Sequence, residues 1–153
     1  MGGGRTCLGV ADPRGLAFLV ELGVPWLKIG SGELTNGPLL LAHARTDRHL
    51  VLSTGMANLG EVEMALAALA FGMTRDGEPD SGRSLRDVLA EPGSWEALRE
   101  RVTLLHCTSQ YPAPLEDVNL NAMDTLRTAF GLPVGYSDHT RGDVVSCAAV
   151  ALG

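Results

Sequence analysis

The sequence predicts an α/β chain of about four consecutive strand–helix units, a partial (β/α)8 (TIM) barrel. Four short apolar runs carry that reading, because each stops abruptly in polar residues. Trp26-Leu-Lys-Ile-Gly30 runs into Ser31-Gly32-Glu33, and His49-Leu-Val-Leu52 into Ser53-Thr54-Gly55-Met56. Val102-Thr-Leu-Leu-His-Cys107 runs into Thr108-Ser109-Gln110-Tyr111-Pro112, and Pro133-Val-Gly-Tyr136 into Ser137-Asp138-His139-Thr140. Apolar residues belong on a buried strand; hydroxyls, a carboxylate and an imidazole in a row belong where the strand stops and a site begins. A helix-like segment follows each run, the alternation of α/β folds. The chain has 153 residues, roughly half of the about 250 that a complete barrel uses.

Each element has a local reason. Asp12-Pro13 offers a carboxylate cap and a proline at the first helical position, and Gly23 is a natural stop for the helix over residues 16–22. On the next strand Leu27 and Ile29 face away from Lys28. Thr35 or Asn36 caps a helix over 38–45, and Asn58 with Glu61 forms a capping box for an Ala-rich helix presenting Val62, Leu66 and Leu69 on one face. Residues 71–100 break the rhythm: a polar, turn-rich stretch and two short helices, 84–90 and 94–101, the second capped by Ser94, read as a surface insertion. A helix over 121–130 ends at Gly131, and a last helix begins over 142–152.

A single domain is expected, with an atypical start over residues 1–11. The net charge of −6 argues against nucleic acid, which demands clustered Lys and Arg. No apolar run reaches the length of a membrane span, and residues 1–5 lack the order of a signal peptide. Cys7, Cys107 and Cys147 lack metal-ligand spacing; free thiols in a reducing cytoplasm are expected.

Several residues are candidates for chemistry. Lys28 lies inside an apolar strand, where an unpaired ammonium is costly. It either pairs with a carboxylate such as Glu33 or contacts an anion or carbonyl of a ligand. Gly30-Ser-Gly-Glu33 and Ser53-Thr-Gly-Met56 are small-residue turns, and two of them after consecutive strands suggest a phosphate or carboxylate cradle at helix N-termini. His139 stands in a polar tetrad at a strand end, where imidazole serves as metal ligand or acid–base group. His106 reads as a hydrogen-bonded interior histidine, and His43 and His49 as surface residues. Two prolines stiffen Tyr111-Pro-Ala-Pro114, so Tyr111 is either a pocket wall or part of a plain rigid loop.

Taken together, these segments resemble the sialic acid synthase family. The matching stretches are Lys28-Ile-Gly-Ser-Gly-Glu33 with Thr35-Asn36 and Pro38-Leu39-Leu40, then Leu52-Ser-Thr-Gly-Met56. Thr103-Leu-Leu-His-Cys-Thr108 follows, with Tyr111-Pro-Ala-Pro114, Glu116-Asp-Val-Asn-Leu120 and the stretch from Pro133 to Thr140. The resemblance implies a (β/α)8 barrel followed by a small antifreeze-like domain. It implies condensation of phosphoenolpyruvate with N-acetylmannosamine, or a related 2-acetamido sugar, to N-acetylneuraminate or legionaminate plus phosphate. A divalent metal, Mn²⁺ or Mg²⁺, would polarise the aldehyde.

By resemblance, Lys28, Ser31, Ser53, Ser109 and Ser137 hold phosphoenolpyruvate, with Ser109 standing where the family often has Asn or Thr. Glu33 sits at the reacting centre with Lys28, Tyr111 and Glu33 contact the sugar, and His139 is one of two histidine metal ligands. The resemblance places the four runs at family strands four to seven. It leaves strands one and two, the eighth strand with the second histidine, and the antifreeze-like domain outside this chain. Gly9 stands where the family is expected to place a phosphate-contacting Thr. A synthase part with little activity alone, from a homodimeric parent, is the leading expectation; a non-catalytic half-barrel interaction protein is the alternative.

Overall fold

A computed structural model describes residues 6–153. Five strands form one parallel sheet in chain order: β1 (Cys7–Gly9), β2 (Trp26–Ile29), β3 (His49–Ser53), β4 (Val102–His106) and β5 (Val134–Tyr136). The helices between them are α1 (Pro13–Glu21), α2 (Gly37–Ala44), α3 (Leu59–Thr74), α4 (Gly82–Val88), α5 (Ser94–Arg101) and α6 (Asn121–Phe130), and α7 (Val144–Ala151) follows β5. Among the described residues no helix is long and apolar enough to cross a membrane.

Register decides which side chains share a face. Leu27 pairs with Leu50 and Ile29 with Leu52, while Leu50 pairs with Val102 and Leu52 with Leu104. All six are fully buried and join one core with Leu40 and Leu41 of α2, Leu66 and Leu69 of α3, Leu98 of α5 and Leu126 of α6. Each such leucine contributes about 1.5–3 kcal/mol relative to an exposed one. The opposite face carries Trp26, Lys28, His49, Val51, Ser53, Thr103, Leu105 and Gly135.

The caps act largely as expected. The Asp12 carboxylate accepts from the Arg14 and Gly15 amides, Asn36 caps α2, and Asn58 with Glu61 forms the capping box of α3. Elsewhere the structure corrects the sequence reading. The start is not alien to the fold: Cys7–Gly9 is a fifth strand, pairing with Trp26–Lys28. Residues 1–5 of that stretch lie outside the described residues. A Cβ at Gly9 would come within 2.5 Å of the Lys28 carbonyl oxygen, so a threonine there would force β1 outward. Residues 71–74 are the end of α3, and Phe71 is buried, so the break in rhythm begins only at Arg75.

The two short helices pack on α3 through Val88 and Leu98, both fully buried. Ser81 caps α4 with Ser84 in return, whereas α5 starts from Gly93, whose φ of 91° is left-handed; Ser94 is buried inside the first turn and makes no cap. His43 and His49 are not surface residues. His43 is fully buried in α2 and bonds the Leu39 carbonyl through Nδ1. His49 stacks on Trp26 at 4.2 Å and bonds Thr103 Oγ1 at 2.9 Å.

Candidate functional site

The polar residues that end the strands come together at one edge of the sheet. Lys28 extends from β2, and its Nζ donates to Ser137 Oγ at 3.1 Å, just past β5. Among the described residues no carboxylate lies within 4 Å of Nζ, so the pairing with Glu33 does not form. Instead, Lys28 and Glu33 line the same open hollow of about 370 Å³, together with Gly9, Val10, Ala11 and Gly30. Glu33 lies in the 3-10 turn Ser31–Glu33, and Asn36 Nδ2 donates to its Oε2 at 2.7 Å. Asn36 thus caps α2 with its oxygen and aims the Glu33 carboxylate with its nitrogen.

Ser137 passes the network on. Its Oγ lies 3.3 Å from His139 Nε2, while His139 Nδ1 lies 2.6 Å from the Thr108 carbonyl oxygen. A carbonyl only accepts, so Nδ1 carries the proton and Nε2 presents a lone pair. Lys28 donates to Ser137, Ser137 donates to His139, and His139 donates to Thr108: every link in the chain has one consistent direction. Tyr111 stacks on the His139 ring at 4.1 Å, with its hydroxyl 3.1 Å from Nε2, yet most of its surface remains open to solvent. It is the outer cover of His139 rather than the wall of a closed pocket. The peptide between Tyr111 and Pro112 is cis.

A second group gathers beside the first. Ser31 Oγ and Ser109 Oγ stand 3.5 Å apart and line a hollow of about 410 Å³ with Thr35, Met56 and Glu61. Gly55 makes this approach possible. Its φ is 49°, and a Cβ there would fall 2.5 Å from Ser31 Cβ and 2.6 Å from Ser109 Oγ. Gly30 and Gly32, expected like Gly55 to let a ligand close to the backbone, have open space where their Cβ atoms would be. Ser53, at the end of β3, is buried with an Oγ that finds no hydrogen-bond partner among the described residues. A buried orphan hydroxyl beside a solvent-open edge suits a ligand oxygen.

Around these groups the charges are settled by local bonds. The Ser146 hydroxyl, the Thr140 amide and the Thr140 hydroxyl all donate to Asp138, and together they hold its carboxyl below the usual range. Asp138 therefore fixes the turn after β5 rather than facing a substrate. Burial raises the Tyr136 phenol, with the Asp138 charge adding to it. Burial likewise raises the Cys7 thiol, partly offset by the Lys28 ammonium. All three cysteines are free.

As a metal centre, the described residues supply no group of three or more His, Cys, Asp and Glu side chains. His139 is still well formed as a single ligand, because a nitrogen ligand needs its other ring N–H anchored and here a carbonyl does so. Sequence reasoning grouped Lys28, Ser137, His139 and Tyr111 through the family resemblance alone. It did not see that Thr108, 31 positions away, anchors the imidazole, or that Asn36, read only as a cap, also aims Glu33.

Known proteins share both the sequence and the architecture. A family model described as NeuB family matches residues 8–153. The chain is 48% identical over 142 residues to N,N'-diacetyllegionaminic acid synthase of Campylobacter jejuni, covering 93% of this chain and 36% of that protein. It is 45% identical over 142 residues to the synthase of the same name from Legionella pneumophila, covering 93% and 34%. Its fold is similar to the crystal structure of the N-acetylneuraminic acid (sialic acid) synthetase of Leptospira borgpetersenii in complex with citrate. The TM-score is 0.74 at 32% identity, over 95% of this chain and 42% of that one. The chain spans about a third of the length of the curated relatives it matches.

Proposed function

The chain belongs to the NeuB family, and on that premise we propose that it is the ligand-holding arc of a nonulosonate synthase. The whole enzyme would condense phosphoenolpyruvate with a 2-acetamido sugar, N-acetylmannosamine or a relative of it, giving N-acetylneuraminate or legionaminate and releasing phosphate. The legionaminate branch is favoured by the two relatives that carry its name. The five strands are one contiguous arc of a (β/α)8 barrel, and the residues at their C-terminal ends form the site. On this reading the whole enzyme is a cytoplasmic homodimer.

The observation that carries this reading is the hydrogen-bonded line from Lys28 through Ser137 to His139 across the ends of β2 and β5. Phosphoenolpyruvate brings a phosphate and a carboxylate, so its site needs a fixed cation and several hydroxyl donors. Lys28 supplies the cation; Ser31 and Ser109, brought together over Gly55, supply a paired donor set. Ser53 and Ser137 complete it, Ser53 gaining the partner it otherwise lacks. Glu33, aimed by Asn36, would face the reacting carbon, where a carboxylate stabilises positive charge developing during carbon–carbon bond formation. Tyr111, exposed over the His139 ring, would contact the sugar.

His139 would hold a Mn²⁺ or Mg²⁺ ion through Nε2, and its fixed tautomer fits that role. When bound, the metal supplies Lewis-acid polarisation of the sugar aldehyde. The test is phosphate release by the full-length protein with phosphoenolpyruvate and a panel of 2-acetamido sugars. Release that depends on one such sugar is expected. Absence of release with every sugar, in metal-loaded folded protein, would overturn the proposal.

A further inference from the structure

One buried side chain in the site region has no part in the proposed chemistry, yet it connects to everything that holds His139. His106, the last residue of β4, turns its ring away from the solvent-open edge, and its Nε2 donates to the Val118 carbonyl at 2.7 Å. Both His106 and Val118 are buried. Residues 107–118 form the loop between these two points. A second tie closes the same loop: Thr108 Oγ1 donates to the Asp117 carbonyl at 3.2 Å.

That loop grips His139 from three sides. The Thr108 carbonyl receives the Nδ1 proton at 2.6 Å, the Tyr111 ring stacks on the imidazole, and the Ala113 amide donates to the His139 carbonyl at 2.9 Å. The His106 carbonyl also receives the Ser137 amide at 2.9 Å. Its ring therefore ties the return of the loop while its backbone ties the start of the segment that carries His139. An exposed loop held only by its chain ends is more mobile, and a hydrogen bond weakens steeply as its angle departs from linear.

We propose that His106 is a positioning residue: by clamping the loop over residues 107–118, it keeps the Thr108 carbonyl on His139 Nδ1 and so leaves Nε2 as the ligand-binding nitrogen. The metal half of this statement rests on the function proposed above; the tautomer half does not. Loss of an outer partner that orients a metal-bound histidine typically weakens metal binding about 10–100-fold. His106 acts one step further out, so His106→Phe, which keeps a ring and removes the donor, is expected to weaken Mn²⁺ binding by about tenfold, the lower end of that range.

The experiment uses the full-length protein with ¹⁵N-labelled histidine, read by two-bond ¹H–¹⁵N spectra well above the usual imidazole titration range, alongside calorimetric titration with Mn²⁺. In the unmutated protein His139 should show the Nδ1–H form. His106→Phe should shift it toward a mixture of the two tautomers, and His106→Gln, which restores an N–H donor, should bring most of the original form back. Unchanged His139 signals in folded His106→Phe would overturn the proposal. Should that variant fail to fold, His106→Met, which also removes the ring donor to Val118, is read the same way, an unchanged tautomer again overturning it. A tautomer shift in a protein that binds no Mn²⁺ would uphold the positioning role and sink the metal reading of His139.

Discussion

The two faces of the same sheet have opposite characters. On the helix-covered face Leu27, Ile29, Leu50, Leu52, Val102 and Leu104 are fully buried and uniformly apolar. On the other face, lysine, histidine, serine and threonine alternate with Trp26, Val51, Leu105 and Gly135, and most of these side chains are only half-buried. A parallel sheet is ordinarily covered on both sides, so the second face is built to enclose something. Its polar groups bond across strands, His49 to Thr103 and Lys28 to Ser137, rather than to a covering helix. Stability thus comes from the face with helices, and the proposed chemistry belongs to the face without them. Substitutions on the first should change folding, and substitutions on the second should change ligand binding.

The largest effect is expected on the helix face. Leu52→Ala removes a fully buried side chain from the centre of the core and should cost about 3 kcal/mol, read as a lower urea midpoint. A loss under about 1 kcal/mol would mean that the core collapses around the gap and that the contrast between faces is weaker than drawn.

Gly55→Ala tests the join between the faces. It forces a side chain into a left-handed backbone and into Ser31 and Ser109, so it should cost about 1–2 kcal/mol and separate those two hydroxyls. Phosphoenolpyruvate binding should fall with it. Binding that survives intact would remove the Ser31–Ser109 pair from the site.

His43 gives the helix face a pH signature. Burial lowers its pKa, with the Leu39 carbonyl opposing in part. The unfolded chain therefore binds more protons than the folded one over a window that opens near the ordinary imidazole pKa of about 6.5. Stability is unaffected above that window and declines as pH falls through it. His43→Leu should flatten this slope in unfolding curves taken across the window, while a slope equal to that of the unmutated protein would assign it to another group.

The smallest effect belongs to the exposed ion pair between Arg45 and Glu78. It lies at the surface, so Glu78→Gln should change stability by less than about 0.5 kcal/mol in the same measurement.

Much of the helix-covered face was legible from sequence because each rule is local. Apolar runs of four to six residues ending in polar ones marked β2, β3 and β4, and Asn58 with Glu61 marked the start of α3. β1 was not legible, because Cys7-Leu-Gly9 has neither length nor a polar end; it is a strand only through its pairing with Trp26, Leu27 and Lys28. His43 and His49 were misplaced for a similar reason. Both sit beside a turn, and only helix packing on one and the Trp26 ring on the other take them out of water. The candidate site was legible as residue types, not as contacts. Lys28 and Ser137 lie 109 positions apart, and nothing in spacing shows that one donates to the other. The family resemblance named them together, and the fold supplied the geometry.

The open face at the strand ends is proposed to bind phosphoenolpyruvate around Lys28. Calorimetric titration of phosphoenolpyruvate into the full-length protein, beside Lys28→Met, tests it most directly. Saturable binding that weakens by about 100-fold in Lys28→Met, roughly 2.7 kcal/mol, with an unchanged urea midpoint, is the predicted result. Equal affinity in both folded proteins would contradict it and move the anion site away from β2.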